Sequence, residues 1–360
     1  MPLPVPQPLK PMLARAASRI PDSASLLFEP KWDGFRCIVF RDAAEDELTL
    51  QSRSLKPLNR YFPEVVAELA RTLPPQVVLD GELVVGVEGR LDFDALTERI
   101  HPAASRIALL SEATPARFVA FDVLAIGERS LLDEPTSTRR EVLTGLAGTG
   151  LRRTPATTDP ETARRWFALF EGAGLDGVVG KPLDEPYAPG KRTMTKYKHS
   201  RTADCVVAGM RWHADTEPGE AVGSLLLGLH DENGVLHHVG VVGAFPATRR
   251  RELAVELAPL RTEGPHPWLG DAVAEGQRLP GGVNRWRPNE QPWIPLRPER
   301  VVEVGYENTE GGHPSRLRHT ARFVRWRPDR TPGSCGYAQL DQPARYDLDA
   351  VFHGEVKRTR

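Results

Sequence analysis

The chain has 360 residues, 40% of them apolar and 26% charged, which is material for two cores at one domain per roughly 100 to 200 residues. Its 47 basic and 48 acidic side chains leave a formal net charge of −1, which excludes a histone-like or polybasic protein and requires any nucleic-acid site to be a concentrated patch. Three separated cysteines, Cys37, Cys205 and Cys335, form neither a zinc-binding CxxC pair nor an even disulfide framework, and nowhere do about 18 apolar residues run together; the expectation is a soluble cytoplasmic protein in a reducing compartment, without a membrane partner.

Up to residue 200, short β-branched or aromatic runs bounded by turn residues predict strands at 26–28, 36–40, 77–79, 83–85, 118–124 and 176–180. Apolar residues at three- and four-residue intervals predict helices at 64–73, 134–146 and 159–170, the last with Pro160 in its first turn. Beyond Lys198 the pattern changes to strands at 204–212, 223–230, 235–242, 301–306 and 318–326 with one helix near 248–260, a set that suits a small Greek-key barrel of the OB type. Residues 263–298, rich in Pro, Gly and Trp, read as a long ordered loop, and 331–360 as a tail.

Only 8 of the basic residues are lysines, and five of them, Lys31, Lys56, Lys181, Lys196 and Lys198, sit in short clusters. In an arginine-rich chain a retained lysine suggests a compact ammonium or a group that must lose its proton, which arginine does not. Lys31 leaves a predicted strand into Trp32-Asp33-Gly34-Phe35-Arg36; the segment is either a surface hairpin or a site presenting an amine to a polyanion, in which case neighbouring cations, metal or desolvation must free the amine. Ser52-Arg53-Ser54-Leu55-Lys56 offers a cationic fork and hydroxyls for phosphate. Asp80-Gly81-Glu82 places Glu82 on a strand, as a capping acid or as a ligand for ribose hydroxyls or metal. Phe121, in Phe118 to Leu124, is a core residue or a base platform; alternation puts Phe118, Ala120 and Asp122 on one face and Val119, Phe121 and Val123 on the other. Lys196 and Lys198 share a strand face, as a solvated edge or as a phosphate clamp. Residues 316–330 hold six arginines and one acid, Asp329, interleaved with Phe323 and Trp326, which is the concentrated cationic patch a neutral chain needs to bind nucleic acid.

Taken in order, these clusters resemble the motifs of the covalent nucleotidyltransferases, the superfamily of ATP-dependent DNA ligases, RNA ligases and mRNA capping enzymes. Lys31-Trp32-Asp33-Gly34-Phe35-Arg36 resembles the KxDGxR signature, Asp80-Gly81-Glu82 the third motif, Phe121-Asp122 the next, Asp176-Gly177-Val178-Val179 the fourth, Lys196-Tyr197-Lys198 the fifth and Arg327-Pro328-Asp329-Arg330 the sixth. Ser52-Arg53 and Gly190-Lys191-Arg192 make the chain most similar to the compact bacterial DNA ligases of the C type. Two positions depart from the family pattern: Asp176 stands where Glu is usual, and Arg330 where Lys is usual, both with charge kept.

The resemblance implies an α+β fold: an ATP-grasp-like nucleotidyltransferase (adenylation) domain of antiparallel sheets with flanking helices over 1–200, an OB-fold β-barrel over 201–330, and a tail, 331–360, packed on or trailing the barrel. It implies an ATP-dependent DNA ligase that seals 3′-hydroxyl/5′-phosphate nicks in duplex DNA through a lysyl-AMP on Lys31, a monomer acting in DNA repair with other repair proteins and associating with the nucleoid. By the same resemblance Lys31, Lys196, Lys198, Asp329 and Arg330 are catalytic. Glu29, Arg36, Arg53, Glu82, Phe121, Lys196, Lys198 and Arg327 contact the nucleotide, and Asp176 and Glu82 hold Mg²⁺ or Mn²⁺. Arg327, Asp329 and Arg330 reach pyrophosphate only when the OB domain closes. An RNA ligase or GTP-using capping enzyme is the rival enzyme, and a nucleic-acid-binding OB protein without chemistry the rival outside enzymology; the nucleoside triphosphate that labels the protein separates all three.

Overall fold

Two of the predicted helices begin at residues whose local chemistry favours a helix start. Pro63 opens the helix Pro63–Thr72, whose Val65 and Leu69 are buried, and the Asp159 carboxylate accepts from the Glu161 and Thr162 N–H groups at 3.2 and 2.9 Å to start Pro160–Leu169. The third helix is Thr136–Gly145, and Phe93–Glu98 and Ala104–Ala113 are two short helices that the periodicity did not reveal. The computed structural model describes residues 3–42, 47–146, 150–199, 201–281, 292–311, 314–340 and 348–355. The chain divides into two units, Met1–His199 with Pro343–Arg360, and Ser200–Gln342.

The first unit holds two sheets. In the larger, Glu47–Ser52, Phe35–Asp42, Gln76–Val87, Ala116–Ile126 and Arg129–Ser130 lie side by side, with Arg90–Leu91 paired to Gln76–Val87. The smaller has the order Leu13–Ala17, Arg192–Tyr197, Val178–Pro182, Leu26–Pro30. Every pairing is antiparallel except Leu13–Ala17 with Arg192–Tyr197, so the expected all-antiparallel architecture has one parallel edge, its strands far apart in the chain as parallel pairs require. Side-chain alternation sorts the cores: Cys37 and Val39 pack with Val65, Leu69 and Leu143, whereas Ile38 and Phe40 pack with Met12, Tyr187 and Met194.

Alternation fails at two positions of Ala116–Ile126, where the register to Gln76–Val87 shifts between Val78 and Leu79 and again between Asp80 and Gly81. Asp80 opposes Asp122 and Gly81 opposes Ala120, which leaves Phe121 as the extra residue of a β-bulge. Val123 therefore joins Phe118 and Ala120 in one core instead of facing away from them, because a bulge shifts the period-two pattern by one residue. The strand expected at 176–180 is Val178–Pro182, so Asp176 sits in the loop before it.

The second unit is a five-stranded antiparallel sheet in the order Leu236–Val242, Val222–His230, Arg201–Trp212, Ile294–Tyr306, Arg322–Trp326. An isolated bridge from Val242 to Ala321 links its two edges, as a barrel closing on itself requires. The helix Ala247–Leu257 continues as a 3-10 turn, Ala258–Leu260. The stretch 263–298 is pinned where His266 Nε2 meets the Ala208 and Leu296 carbonyls at 2.8 and 3.1 Å and Trp268 Nε1 donates to Leu236 O at 2.7 Å; its end is the start of Ile294–Tyr306, and 282–291 lie outside the described residues.

The tail divides, contrary to a single segment on the barrel. Cys335 and Leu340 pack into the core of the second unit, whereas Leu348 and Val351 of the helix Leu348–Phe352 are buried in the first with Trp166 and Phe170. Apolar residues of a terminal helix go where a complementary core remains open, and that site is not encoded by their neighbours in sequence.

Candidate active site

Lys31 follows the strand Leu26–Pro30 and precedes Phe35–Asp42. Its backbone is clasped to the loop before Val178: the Lys31 N–H donates to Gly177 O at 2.8 Å and the Asp176 N–H to Lys31 O at 2.9 Å. Glycine is needed at 177, where φ is +129° and a Cβ would lie 2.0 Å from Tyr197 O, and at 34, where a Cβ would lie 2.1 Å from Leu83 O. The Trp32 ring, which follows the nucleophile candidate, is buried, donates from Nε1 to Thr154 Oγ1 at 2.9 Å and stacks on Phe352.

The Lys31 ammonium lies 2.6 Å and the Lys198 ammonium 2.8 Å from the same oxygen, Asp176 Oδ2. Burial alone would raise the Asp176 pKa, but the two lysines outweigh it and hold the carboxyl at about 2. Lys196 lies two residues before Lys198, opposite Val179. Glu82 has the opposite balance: burial lifts its carboxyl to about 7 against the pull of Arg36 and Lys31.

Phe121 sits between cations. Its ring centroid is 4.4 Å from the Arg36 guanidinium and 4.8 Å from Lys181 Nζ. Arg36 binds Asp80 through Nε and Nη2, both at 2.5 Å, and Asp80 also accepts from the Tyr187 hydroxyl at 2.6 Å; the ribose contact expected of Arg36 would therefore be made by a side chain already anchored. Lys181 Nζ reaches Glu29 Oε2 and the Phe121 carbonyl, each at 2.8 Å. Burial raises the Glu29 pKa even so, and its Oε1, 3.5 Å from Arg140, has no hydrogen-bond partner. A buried, unsatisfied carboxylate oxygen is where an amino group of a ligand gains most. Arg53 is exposed on the turn 52–56, closed by Ser52 N–H to Lys56 O at 2.8 Å.

The sixth cluster belongs to the second unit. Arg327 Nη1 meets both Asp204 oxygens at 3.0 Å, and its Nη2 meets Asp329 Oδ2 at 2.7 Å; Arg330 Nε is 3.5 Å from Asp204. The Arg327 hydrogen bond holds exposed Asp329 at about 2. The run of six arginines is less cationic than its sequence, because Glu310 pairs with Arg316 and Glu303 with Arg325. Thr154 and Asp204 carry no signal in the sequence, and Asp80 and Lys181 fall within the clusters without an assigned role, because each acts through a partner distant in the chain.

Among the described residues no three His, Cys, Asp or Glu side chains converge as a metal cage. Asp176 and Glu82 are oxygen donors in the field of Lys31, and a Mg²⁺-like ion needs only one or two carboxylates where phosphates supply its other ligands. The residues fit a divalent cation that is shared with a phosphate-bearing substrate.

A lysine clasped to an acid and flanked by a second lysine, on paired sheets and followed in the chain by an OB-type unit, defines a covalent nucleotidyltransferase. Residues 11–198 match the model of the ATP dependent DNA ligase domain, and 218–330 that of the ATP dependent DNA ligase C terminal region. The chain is 51% identical to "DNA ligase C" of Mycobacterium tuberculosis (strain ATCC 25618 / H37Rv) over 98% of its own length and 99% of the relative, and 53% identical to "DNA ligase C2" of Mycolicibacterium smegmatis (strain ATCC 700084 / mc(2)155) over 95% and 97%. A solved Lig E DNA ligase shares the fold at a TM-score of 0.51 and 17% identity, with 88% of this chain and 99% of that one covered. The chain belongs to the ATP-dependent DNA ligases, and ATP-dependent DNA ligation is its activity. No helix among the described residues is long and apolar enough to cross a membrane.

Proposed function

We propose that the chain seals nicks in duplex DNA in three transfers that begin at Lys31. The Lys31 amine attacks the α-phosphorus of ATP; a P–N bond forms, the P–O bond to pyrophosphate breaks and the amine loses a proton. A 5′-phosphate oxygen at the nick then attacks the AMP phosphorus, and the lysine leaves with a proton regained. The 3′-hydroxyl finally attacks the 5′-phosphorus and AMP departs. The observation that carries this reading is the Lys31–Asp176–Lys198 cluster, a nucleophile beside an ionised carboxylate and a second cation.

Asp176 accepts the Lys31 ammonium before ATP binds, and Lys196 and Lys198 stabilise charge on the α-phosphate, the electrostatic positioning that dominates such transfers. Phe121 stacks on adenine, Glu29 receives its amino group, Glu82 and Arg36 lie on the ribose side, and Arg53 meets phosphate. Mg²⁺ or Mn²⁺, held by Asp176 and Glu82, would neutralise phosphate charge. Arg327, Asp329 and Arg330 orient pyrophosphate as the OB domain closes. The protein acts as a monomer in DNA repair in the bacterial cytoplasm, at the nucleoid and with other repair proteins.

The test is incubation with labelled ATP and Mg²⁺, denaturing electrophoresis, then chase with a nicked duplex. Wild type should form an adduct that the nick discharges. Lys31→Arg should form none, because arginine stays protonated, yet should still seal a nick already adenylated at its 5′ end; labelling of Lys31→Arg would remove Lys31 as the nucleophile.

A further inference from the structure

The first unit contains a cleft of about 890 Å³ lined by none of the residues proposed to touch ATP. Its walls carry Arg117, Arg140, Arg152 and Arg153, with Asp349 and Phe352 from the returning end of the chain. Two of the arginines are neutralised, Arg117 by Asp349 at 3.1 Å and Arg152 by Glu68. The other two are held by carbonyls: Arg140 Nη2 donates to Thr154 O at 2.9 Å and Arg153 Nη1 to Thr144 O at 3.0 Å. Glu29, the acid near Arg140 at 3.5 Å, is already paired with Lys181 at 2.8 Å, and Arg140 Nη1 is buried without a hydrogen-bond partner.

Arg153 is therefore fixed in the cleft by a neutral acceptor, and Arg140 beside it has only a share of Glu29, which Lys181 holds more closely. Partial burial, and after it the charge of Arg140, press the Arg153 pKa down, so the cleft holds more positive than negative charge at this point. Such an excess is relieved by an anion, and the planar guanidinium fork matches phosphate oxygens. Leu151, Pro155 and Phe352 add apolar surface beside the cations, and the volume is that of a small-ligand site.

We propose that this cleft binds a phosphate-bearing nucleotide unit, free or within a nucleic-acid strand, with Arg140 and Arg153 on the phosphate and Phe352 and Pro155 against the base or sugar. It adjoins the ATP site, with Arg140 3.5 Å from Glu29 and Phe352 stacked on Trp32, and Asp349 at its rim weakens the binding.

The experiment uses the full chain free of AMP and two probes that are not substrates, an uninterrupted duplex and inorganic tripolyphosphate, titrated at several salt concentrations. Arg153→Gln should weaken one probe about tenfold, as loss of a charge-assisted contact does, and lower the salt slope for duplex by about one; Arg153→Lys should recover part of the loss. Asp349→Asn should tighten the same probe several-fold, a gain that a folding defect does not produce. An effect on the duplex alone assigns the site to a strand, and an effect on tripolyphosphate alone to a free nucleotide. Formation of lysyl-AMP should be unchanged in both variants. If neither variant alters either probe, or if Asp349→Asn weakens binding, the proposal is wrong.

Discussion

The indole of Trp32 and the ring of Phe352 stack with centroids 5.0 Å apart and planes 19° from parallel, although one residue lies near the start of the chain and the other near its end. Trp32 is the neighbour of Lys31, so a helix formed after the whole OB unit has been traversed closes the packing behind the nucleophile.

Phe352 is accordingly a positioning residue. Phe352→Ala should slow formation of lysyl-AMP from ATP while sparing the sealing of a pre-adenylated nick, which does not need the Lys31 amine. The stack is worth about 0.5–1.5 kcal/mol beyond its buried area, so the first step should fall by up to roughly two- to thirteenfold. Phe352→Trp should restore it. Equal losses in both assays, followed through the melting temperature, would reduce Phe352 to ordinary packing.

Phe121 is a bulge residue, partly exposed and flanked by Arg36 and Lys181. Phe121→Ala should weaken ATP use by about 1–3 kcal/mol, the range for loss of a base-stacking ring, and cost less stability than the roughly 3–5 kcal/mol of a core phenylalanine. Adduct formation against ATP concentration and thermal melts measure the two effects separately. Unchanged ATP dependence in a destabilised variant would return Phe121 to the core.

Asp80 is fully buried and binds Arg36 through both oxygens. Asp80→Asn keeps the shape but leaves a guanidinium without its counter-charge, which should cost about 3–5 kcal/mol as for other broken buried pairs. Urea melts should show a lower midpoint at an unchanged slope. A loss within the roughly 0–1 kcal/mol of an exposed pair would mean that water reaches Arg36.

His238, on the strand Leu236–Val242 of the second unit, is pushed by burial, then by Arg211, Arg278 and Arg316, from 6.5 down to about 3. As pH falls below 6.5 the unfolded chain takes up a proton that the folded unit refuses, so stability declines with acid until about 3. His238→Gln should flatten this decline, leaving the contribution of buried His266, whose pKa is also lowered. The check is the urea midpoint compared between about pH 7 and pH 5, the window in which unfolded histidine titrates. Identical slopes in wild type and variant would show that His238 is solvated.

The order of the functional clusters, the KxDG turn that needs glycine at 34, the helix starts at Pro63 and Asp159 and the change to strand-rich sequence after Lys198 are properties of neighbouring residues. Periodicity and turn chemistry act over a few positions, so they could be read from the sequence by itself. The partners of those clusters could not. Asp80 meets Arg36, Lys181 meets Glu29, Asp204 meets Arg327, and Phe352 meets Trp32 only after strands have found their register and the chain end has found a core. The bulge that presents Phe121 arises from the pairing of two strands about 40 residues apart, and the acids that neutralise the arginine run at 316–330 arrive from elsewhere in the second unit. Local sequence sets which chemistry is available; register and long-range packing decide which charges are matched and which remain to meet a substrate.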